Sequence, residues 1–454
     1  MFTKGWTVGW AALVLVACDG GSGTSDTGAV TDTGTSTGTG ACTGTGTGTL
    51  DLTLGDAGAG PWAQAPEAVV YGPDGAEVAR VPAGGSDTLE GLPGGTYLVE
   101  VHRGEGAADG ALAGALATAT LPLARVCVGD DATSTFASDF TAGAGKLWVT
   151  SGERIAAFGS AAIDAGGDQA PEVALDVSLV NDFRGLGFDP MGHLWAAASP
   201  TYGSRLLWWE GASGVGASDA DGEVASLVFD DFAEIADLAF DRQGTLWAAL
   251  RQPSGTFRGV VGYRRATLAD AMLDGTVVEP DVMRSVDGLE GRVDLELGPD
   301  GALWITDYDG DRLLRIDDPY DGGTGVDASF AVAAPTPISG GVPVPLEGPE
   351  NLAFYANGDA VALFWVSGAL VRLPAADLGR SGAVDLVVEA DDIYVDQLPT
   401  GLVVDGRDRA WLGNYAGDGT GQILGWREGE PTHVQLFSDA IPDPADLVLD
   451  PRPR

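Results

Sequence analysis

The sequence predicts an all-β protein in which a six-bladed β-propeller follows a small β-sandwich and a disordered tether. Three observations support this class. A unit of roughly 50 residues recurs through the C-terminal part of the chain and carries a tryptophan at a fixed place. Short runs of alternating apolar and polar residues, separated by Gly, Pro and Asp turns, precede that repeat. A tract made almost wholly of Gly, Thr, Ser and Asp comes before those runs.

The composition supports a large core and a strongly negative surface. The chain has 454 residues, of which 44% are hydrophobic, and 66 acidic residues against 24 Lys and Arg give a net charge of -42. Such a surface repels the phosphates of nucleic acids. We therefore expect no nucleic-acid partner.

Residues 1–18 read as a secretion signal. Lys4 precedes an apolar run that is too short to span a bilayer with margin, and the run ends in Leu15-Val16-Ala17-Cys18. That ending resembles the lipobox of bacterial lipoproteins, in which cleavage leaves a lipidated cysteine at the N-terminus. The resemblance implies lipidation of Cys18 and a protein anchored at the cell envelope, on the periplasmic face or the cell surface. The alternative is an ordinary signal peptide that happens to contain a cysteine.

Residues 19–49 form the predicted tether, and residues 50–139 form the predicted sandwich. The tether has almost no apolar side chain to bury, so it provides reach. In the sandwich segment, SDTLEGLPGGTYLVEV at residues 86–101 resembles the closing hairpin of carboxypeptidase regulatory-like β-sandwiches. That resemblance implies a fold and no function. Cys42 and Cys127 flank these strands and form either a disulfide or two unpaired thiols.

Residues 140–454 carry the repeat that predicts the propeller. Its copies are LGFDPMGHLW, LAFDRQGTLW, LELGPDGALW, LAFYANGDAV and LVVDGRDRAW, starting at Leu186, Leu238, Leu295, Leu352 and Leu402. In each copy a strand enters a turn and returns as a second strand, and further strands follow. Four antiparallel strands in a unit of this length are typical of a propeller blade.

The blade count follows from the tryptophans and from the end of the chain. Trp148 marks a sixth unit that lacks its preceding strand, and ADLVLDPRPR supplies the missing Leu-x-Leu-Asp pattern from Leu447. A C-terminal strand in the first blade would close the ring and remove its exposed edges. We therefore predict six blades with the seam between the two ends of residues 140–454.

The Asp-x-x-Gly turn followed by Leu-Trp resembles the NHL, streptogramin lyase and gluconolactonase (senescence marker protein) propellers. The resemblance covers residues 140–454 and implies the architecture, which hosts lyases, lactonases and binding modules. The lyases depend on a histidine base. The histidines here fall in the sandwich, in a turn at the opposite rim and in an outer strand, as His102, His193 and His433 respectively. Lyase chemistry is therefore disfavoured.

The propeller geometry is expected to collect oxygen-bearing side chains at one mouth of its central channel. The first strand of a blade starts at the rim where the second strand ends, so residues from both positions meet there. The residues predicted at this rim include Asp237, Asp294, Asp307, Asn351, Asn414 and Asp446. Hard oxygen ligands of this kind suit calcium or a cationic ligand. The alternative is that these side chains cap turns or accept backbone amides where strands begin.

The stretch GALWITDYDGDRLLRID at residues 301–317 contains three closely spaced aspartates. Asp307 belongs to the rim, whereas Asp309 and Asp311 fall in a hairpin turn, and we expect them to face solvent. The spacing lacks the terminal bidentate glutamate of an EF-hand loop. The stretch is thus predicted to be a turn rather than one metal loop.

The gluconolactonase resemblance implies a metal-dependent hydrolase. That family holds a divalent metal with Glu and Asn or Asp where strands begin, and uses an acidic residue in lactone hydrolysis. By position, Glu347 and Glu350 in LEGPENLAF resemble its Glu-Gly-Pro motif, and Asn351 resembles its asparagine. Asp294 or Asp307 resembles its aspartate and would be the base.

The sequence leaves the function open between two main classes. The first is an envelope lipoprotein, expected to be a monomer, whose propeller binds a ligand or an envelope protein at an acidic channel mouth organised by calcium. The second is the metal-dependent lactonase or esterase. A structural spacer without a ligand is a third possibility.

Overall fold

Strands make up most of the secondary structure in this computed structural model. It describes residues 42, 45–58, 62–106, 115–177, 182–198, 205–210, 223–225, 234–251, 257–275, 278–289, 292–333, 346–388, 393–395, 399–415, 421–427 and 434–450. These residues all lie within one unit, residues 39–454. Cys18, most of the predicted tether and His433 lie outside the described residues. The predicted all-β class is confirmed.

Three sheets between residues 47 and 144 form what we call the N-terminal module. Its described strands are β1 (Thr47–Leu54), β2 (Trp62–Gln64), β3 (Glu67–Tyr71), β4 (Glu77–Pro82), β5 (Ser86–Pro93), β6 (Gly95–His102), β7 (Gly104–Gly106), β8 (Ala115–Ala119), β9 (Leu123–Val128), β10 (Thr133–Ser138) and β11 (Phe140–Ala144). The strand orders are β10-β1-β5, β4-β3-β6-β9 and β11-β8-β7-β2. The first two sheets share one apolar core, to which alternate positions of β1 contribute Leu50, Leu52 and Leu54.

A disulfide joins Cys42 to Cys127, with Cα atoms 5.7 Å apart. Both predicted boundaries of the module shift in the structure. Residues 47–49, assigned to the tether, already belong to β1, because they pair with β5 and β10. Residues 140–144, assigned to the propeller, form β11 and pair with β8 of the module. The propeller therefore begins at the next strand.

The propeller consists of six sheets among the described residues. Its strands are β12 (Lys146–Ser151), β13 (Arg154–Gly159), β14 (Gly167–Asp168), β15 (Val173–Asp176), β16 (Phe183–Phe188), β17 (Leu194–Ala198), β18 (Arg205–Trp209), β19 (Glu223–Ala225), β20 (Glu234–Phe240), β21 (Leu246–Arg251), β22 (Gly259–Tyr263), β23 (Val282–Ser285), β24 (Val293–Leu297), β25 (Leu303–Asp307), β26 (Arg312–Ile316), β27 (Gly323–Thr324), β28 (Ala328–Ala333), β29 (Pro349–Phe354), β30 (Ala360–Phe364), β31 (Ala369–Leu373), β32 (Gly382–Val387), β33 (Ile393–Val395), β34 (Pro399–Val404), β35 (Ala410–Tyr415), β36 (Gly421–Trp426), β37 (Val434–Ser438) and β38 (Pro444–Asp450).

The sheets follow the chain in order and are called blades 1 to 6. Their four main strands, from the inside outwards, are β38-β12-β13-β15, β16-β17-β18-β19, β20-β21-β22-β23, β24-β25-β26-β28, β29-β30-β31-β33 and β34-β35-β36-β37. The innermost strands contact one another in a closed cycle, with β38 between β34 and β16. The C-terminal strand β38 pairs antiparallel with β12, so the seam lies where the sequence places it.

Connections between blades add short parallel strands at three outer edges. β14 pairs with β37, β27 with β23, and β32 with β28. The described helices are α1 (Ser160–Ala165), α2 (Arg265–Asp274) and α3 (Ala375–Leu378), with a 3₁₀ turn at Pro319–Asp321. None of the helices described is long and apolar enough to cross a membrane.

In blades 2, 3 and 6, the turn after the innermost strand explains the recurrence of Asp and Trp six residues apart. The carboxylate of Asp241 accepts hydrogen bonds from the amides of Gln243 and Thr245, at 2.8 and 2.9 Å, and from Nε1 of Trp247 at 2.9 Å. The same indole bond joins Trp195 to Asp189 at 3.1 Å and Trp411 to Asp405 at 2.9 Å. The buried indoles are thus both packed and satisfied, as a buried Trp requires.

Candidate functional site

The residue immediately before the repeated leucine of each innermost strand forms a ring that we call the acidic ring. In blade order its members are Asp446, Gly185, Asp237, Asp294, Asn351 and Gly401. Five innermost strands, β38, β16, β20, β29 and β34, have a register shift at or next to this position. A bulge re-aims a side chain and frees backbone groups from the ladder. The sequence predicted the members of this ring.

Each aspartate of the acidic ring accepts a hydrogen bond from a backbone amide of the next blade. Oδ2 of Asp446 accepts from the amide of Leu186 at 2.7 Å, Oδ2 of Asp237 from Leu295 at 2.8 Å, and Oδ2 of Asp294 from Leu352 at 3.2 Å. The sequence left two roles open for these side chains, binding a cation or accepting backbone amides where strands begin. These three bonds are of the second kind. They join blades 1 to 2, 3 to 4, and 4 to 5.

Asp237 and Asp294 are also hydrogen-bonded to each other. Burial raises the pKa of Asp237 well above its ordinary value, and the charges of Asp294 and Asp446 raise it further. Burial also raises the pKa of Asp294, but the bond from Asp237 and bonds from the Leu352 amide and Asn351 lower it in part. Because its pKa is the more strongly raised of the two, Asp237 is the partner that stays protonated, and its O–H donates a hydrogen bond to the carboxylate of Asp294.

Glycine at one ring position makes room for a carboxylate. A Cβ atom at Gly185 would lie 2.2 Å from Oδ1 of Asp237 and 2.9 Å from the amide nitrogen of Leu238. Contacts this short exclude any side chain. The glycine at position 185, next to Asp237 in the ring, thus has a steric cause.

Asn351 is the ring member with an unused oxygen. It is only 7% exposed, its amide group donates to Asp294, and its Oδ1 has no hydrogen-bond partner among the described residues. A buried acceptor without a donor costs about 1–3 kcal/mol. Oδ1 of Asn351 is thus a buried acceptor that no donor of the described residues satisfies.

Glu350 lies beside Asn351 and pairs with an arginine that the sequence did not single out. Nη1 of Arg292 is 2.7 Å from Oε1 of Glu350, and the guanidinium lies 5.5 Å from the ring centre of Trp365 and 6.0 Å from that of Tyr308. Oε2 of Glu350 has no partner among the described residues. We call Arg292, Glu350, Asn351, Tyr308 and Trp365 the mouth.

The mouth holds a carboxyl group that titrates near neutrality. Burial raises the pKa of Glu350 to about 7, although Arg292 lowers it, and the charge of Asp294 raises it further. A second carboxyl close to Arg292, that of Asp182, also has a raised pKa. Burial is the main cause, the charge of Arg184 opposes the increase, and the charge of Asp443 adds to it. Arg292 carries no local sequence signal, because only the ring brings it near Glu350.

Asp307 does not join the acidic ring. It is fully buried in the β25–β26 hairpin, where its Oδ2 accepts from Nε of Arg312 at 2.7 Å and its Oδ1 from the amide of Gly310 at 3.3 Å. Asp307, predicted at the rim as a candidate base or metal ligand, is thus held in an ion pair in which Arg312 neutralises its charge.

The other predicted residues have simpler roles. Asp309 and Asp311 are both exposed as expected, and Oδ1 of Asp311 also accepts from the amide of Gly348 at 2.8 Å, which ties the hairpin to blade 5. Asn414 is buried and donates to Oε1 of Gln422 in its own blade at 3.2 Å. Glu347 is exposed, so of the two glutamates in the LEGPENLAF motif only Glu350 turns inward.

The described residues hold no ready-made cluster of acidic, His or Cys side chains for the metal that the gluconolactonase resemblance implies. Among them, no group of three or more His, Cys, Asp or Glu side chains is placed to hold a metal ion. The ring carboxylates already accept backbone amides, and Asp237 shares a proton with Asp294. Calcium wants about six to eight oxygen ligands. The arrangement as it stands does not fit such an ion.

Comparisons with known proteins add no function. No family model matches the chain, and no curated protein matches it. A protein of unknown function from Bacteroides caccae is 14% identical over 67% of this chain and 98% of its own, with a TM-score of 0.46. Virginiamycin B lyase from Staphylococcus aureus is 13% identical over 56% and 69%, with a TM-score of 0.29. The propeller fold rests on the sheets themselves.

Proposed function

We propose that the propeller binds, at the mouth, a ligand that carries positive charge or hydrogen-bond donors. The observation that carries this proposal is the pair of unused oxygens, Oδ1 of Asn351 and Oε2 of Glu350. Both are acceptors, so the occupant that satisfies them must donate. The neighbouring carboxylate of Asp294 favours a positive charge.

An organic ammonium or guanidinium group fits this arrangement better than a metal ion. Such a group needs only the free oxygens of Asn351 and Glu350, whereas calcium would require ring carboxylates to release their backbone amides. Arg292 already shows a guanidinium held here, between Glu350 and the rings of Trp365 and Tyr308. A lysine or arginine of an envelope protein, or a small amine, has the same chemistry.

Titration calorimetry with putrescine and with calcium chloride tests the proposal. We expect putrescine to bind, and Asn351→Ala to weaken it about tenfold, because one charge-assisted bond is lost. Glu90→Gln, on an exposed position of the N-terminal module, is the matched control and should bind like the wild type. Calcium binding without putrescine binding would favour the calcium-organised rim. If neither titrant binds, the proposal is wrong.

We also propose that a lipid on Cys18 holds the protein, as a monomer, at the cell envelope. The support is the Leu15-Val16-Ala17-Cys18 ending of the signal. Cys18→Ala should move the protein from the membrane fraction to the soluble fraction. Unchanged fractionation of this variant would count against lipid anchoring.

A lactone or ester hydrolase is the second candidate. It is favoured by Glu350, whose pKa of about 7 suits proton exchange at neutral pH. It is weakened by the ion pair of Asp307 with Arg312, which removes one of the two candidate bases. A lactone screen in which Glu350→Gln abolishes turnover would support it, and turnover that persists in this variant would exclude Glu350 as the acid or base.

A further inference from the structure

A second cavity lies far from the mouth, between the N-terminal module and blade 3. Its volume is about 840 Å³, within the range of pockets for small ligands. The module contributes Gln64 and Arg80 to its lining, and the propeller contributes Arg242, Arg264 and Arg265. Arg242 follows the end of β20, whereas the mouth lies where the innermost strands begin. This cavity and the mouth therefore lie towards opposite ends of the propeller.

The lining of this cavity is unusual in a protein of net charge -42. Four of only 24 basic side chains of the Lys and Arg type converge on it. Every described residue that lines it is polar or charged, whereas most small-molecule pockets are mainly apolar. Arg80 pairs with Glu77 and Glu67, and Arg265 pairs with Glu100 at 2.8 Å.

The guanidiniums of Arg242 and Arg264 have no carboxylate partner among the described residues, and both residues are exposed. Arg264 lies over the ring of Tyr320, 5.8 Å from its centre. That ring is fixed, because its hydroxyl bonds Asp241 and Thr245. Two free guanidiniums beside a fixed aromatic ring offer donors to an anion.

The module side of the cavity offers an acceptor instead. Oε1 of Gln64 is buried and has no hydrogen-bond partner in the described part of the chain. A ligand that satisfies both walls must therefore carry an anionic group for Arg242 and Arg264 and a hydroxyl donor for Gln64. Sugar acids combine these two groups in one small molecule.

The walls of the cavity are held in place before any ligand arrives. Arg265 bonds Glu100 and lies 4.6 Å from the ring centre of Tyr71, and Arg125 forms ion pairs with Asp270 and Asp274 on α2. A buried apolar contact joins β9 to blade 2 and to α2 through Leu123, Met191 and Ala269. Walls fixed in this way reduce the entropy lost on binding.

We propose that this cavity binds an acidic saccharide, with Arg242 and Arg264 holding the carboxylate and Gln64 accepting from a hydroxyl group. The proposal does not depend on the mouth. Because the protein as a whole repels anions, the local guanidiniums must supply the attraction.

The test uses sodium glucuronate as the probe, with saturation-transfer NMR and titration on the full chain. Glucuronate should bind the wild type, and the double variant Arg242→Gln with Arg264→Gln should bind it at least about tenfold more weakly. Arg380→Gln, an exposed arginine beyond α3, is the matched control and should bind normally. The thermal midpoint of the double variant should stay close to that of the wild type, because neither guanidinium has a carboxylate partner in the described chain and only the exposed contact of Arg264 with Tyr320 is lost.

Glucose and sodium sulfate separate the two parts of the proposal. Glucose lacks the charge and sulfate lacks the hydroxyl donor, so both should bind more weakly than glucuronate. Equal binding of glucose or of sulfate would overturn the saccharide-acid assignment. Absence of glucuronate binding, or equal binding by the double variant, would overturn the site. A failure here would leave putrescine binding at the mouth unaffected, and the reverse also holds.

Discussion

The buried carboxyl groups of Asp237 and Asp294 interact across the boundary between blades 3 and 4, and burial raises the pKa of both. Each carboxyl also accepts the backbone amide of the leucine one blade further on, at 2.8 and 3.2 Å. The pair therefore joins consecutive blades and stores a proton in the ring. That proton makes the stability of the fold depend on pH.

Asp294→Asn should reduce the loss of stability at rising pH. The pKa of Asp237 is raised in the folded state, so its contribution is present below its ordinary value of 3.8 and is lost as pH rises through the raised value. Asparagine removes the charge of Asp294 and keeps an acceptor for Asp237. Urea unfolding between about pH 4 and pH 8 measures the slope of the free energy of unfolding against pH. Asp385→Asn, exposed on β32, should leave the slope unchanged, and an equal slope in both variants would contradict the coupling.

Glu350→Gln should remove a second pH-dependent contribution to the free energy of unfolding. The pKa of Glu350 rises from 4.5 to about 7 on folding, so its contribution is full below 4.5 and is lost as pH rises through about 7. The difference amounts to something on the order of 2–3 kcal/mol. The variant should therefore gain stability relative to the wild type at pH 8 but not at pH 4. A constant difference at both pH values would show that Glu350 does not titrate in this window.

Arg312→Gln should destabilise the protein by about 3 kcal/mol, because it removes the charged partner of the fully buried Asp307. Arg380→Gln, whose ion pair is exposed, should change the free energy of unfolding by less than about 0.5 kcal/mol. Chemical denaturation measures both. If Asp307 were instead a metal ligand, Arg312→Gln would be harmless and a chelator would destabilise the wild type.

The repeat was sufficient to predict the ring, because a strand with a fixed period places the residue before each leucine at the same level. Asp237, Asp294, Asn351 and Asp446 were found this way. The ion pair of Asp307 was missed, since only the register of β25 and β26 brings it opposite Arg312. The second cavity was also missed, because it depends on a module wall far away in sequence.

Cys127→Ser should cost about 3–4 kcal/mol of stability, because the disulfide with Cys42 closes a loop across a sequence separation of 85 residues. Urea unfolding of the variant and of the wild type measures the cost. Wild-type protein treated with a thiol reductant should behave like the variant. A reductant that leaves the wild type unchanged, while the variant is destabilised, would point to the serine rather than to the bond.

The mouth itself is tested most directly by a crystal structure of the protein soaked in turn with putrescine and with calcium. We predict an amine nitrogen within hydrogen-bond distance of Oδ1 of Asn351 and of the Glu350 carboxylate, with the amide bonds of Asp237 and Asp294 intact. A mouth that contains only ordered water after both soaks, with Oδ1 of Asn351 turned to a protein donor, would contradict the account.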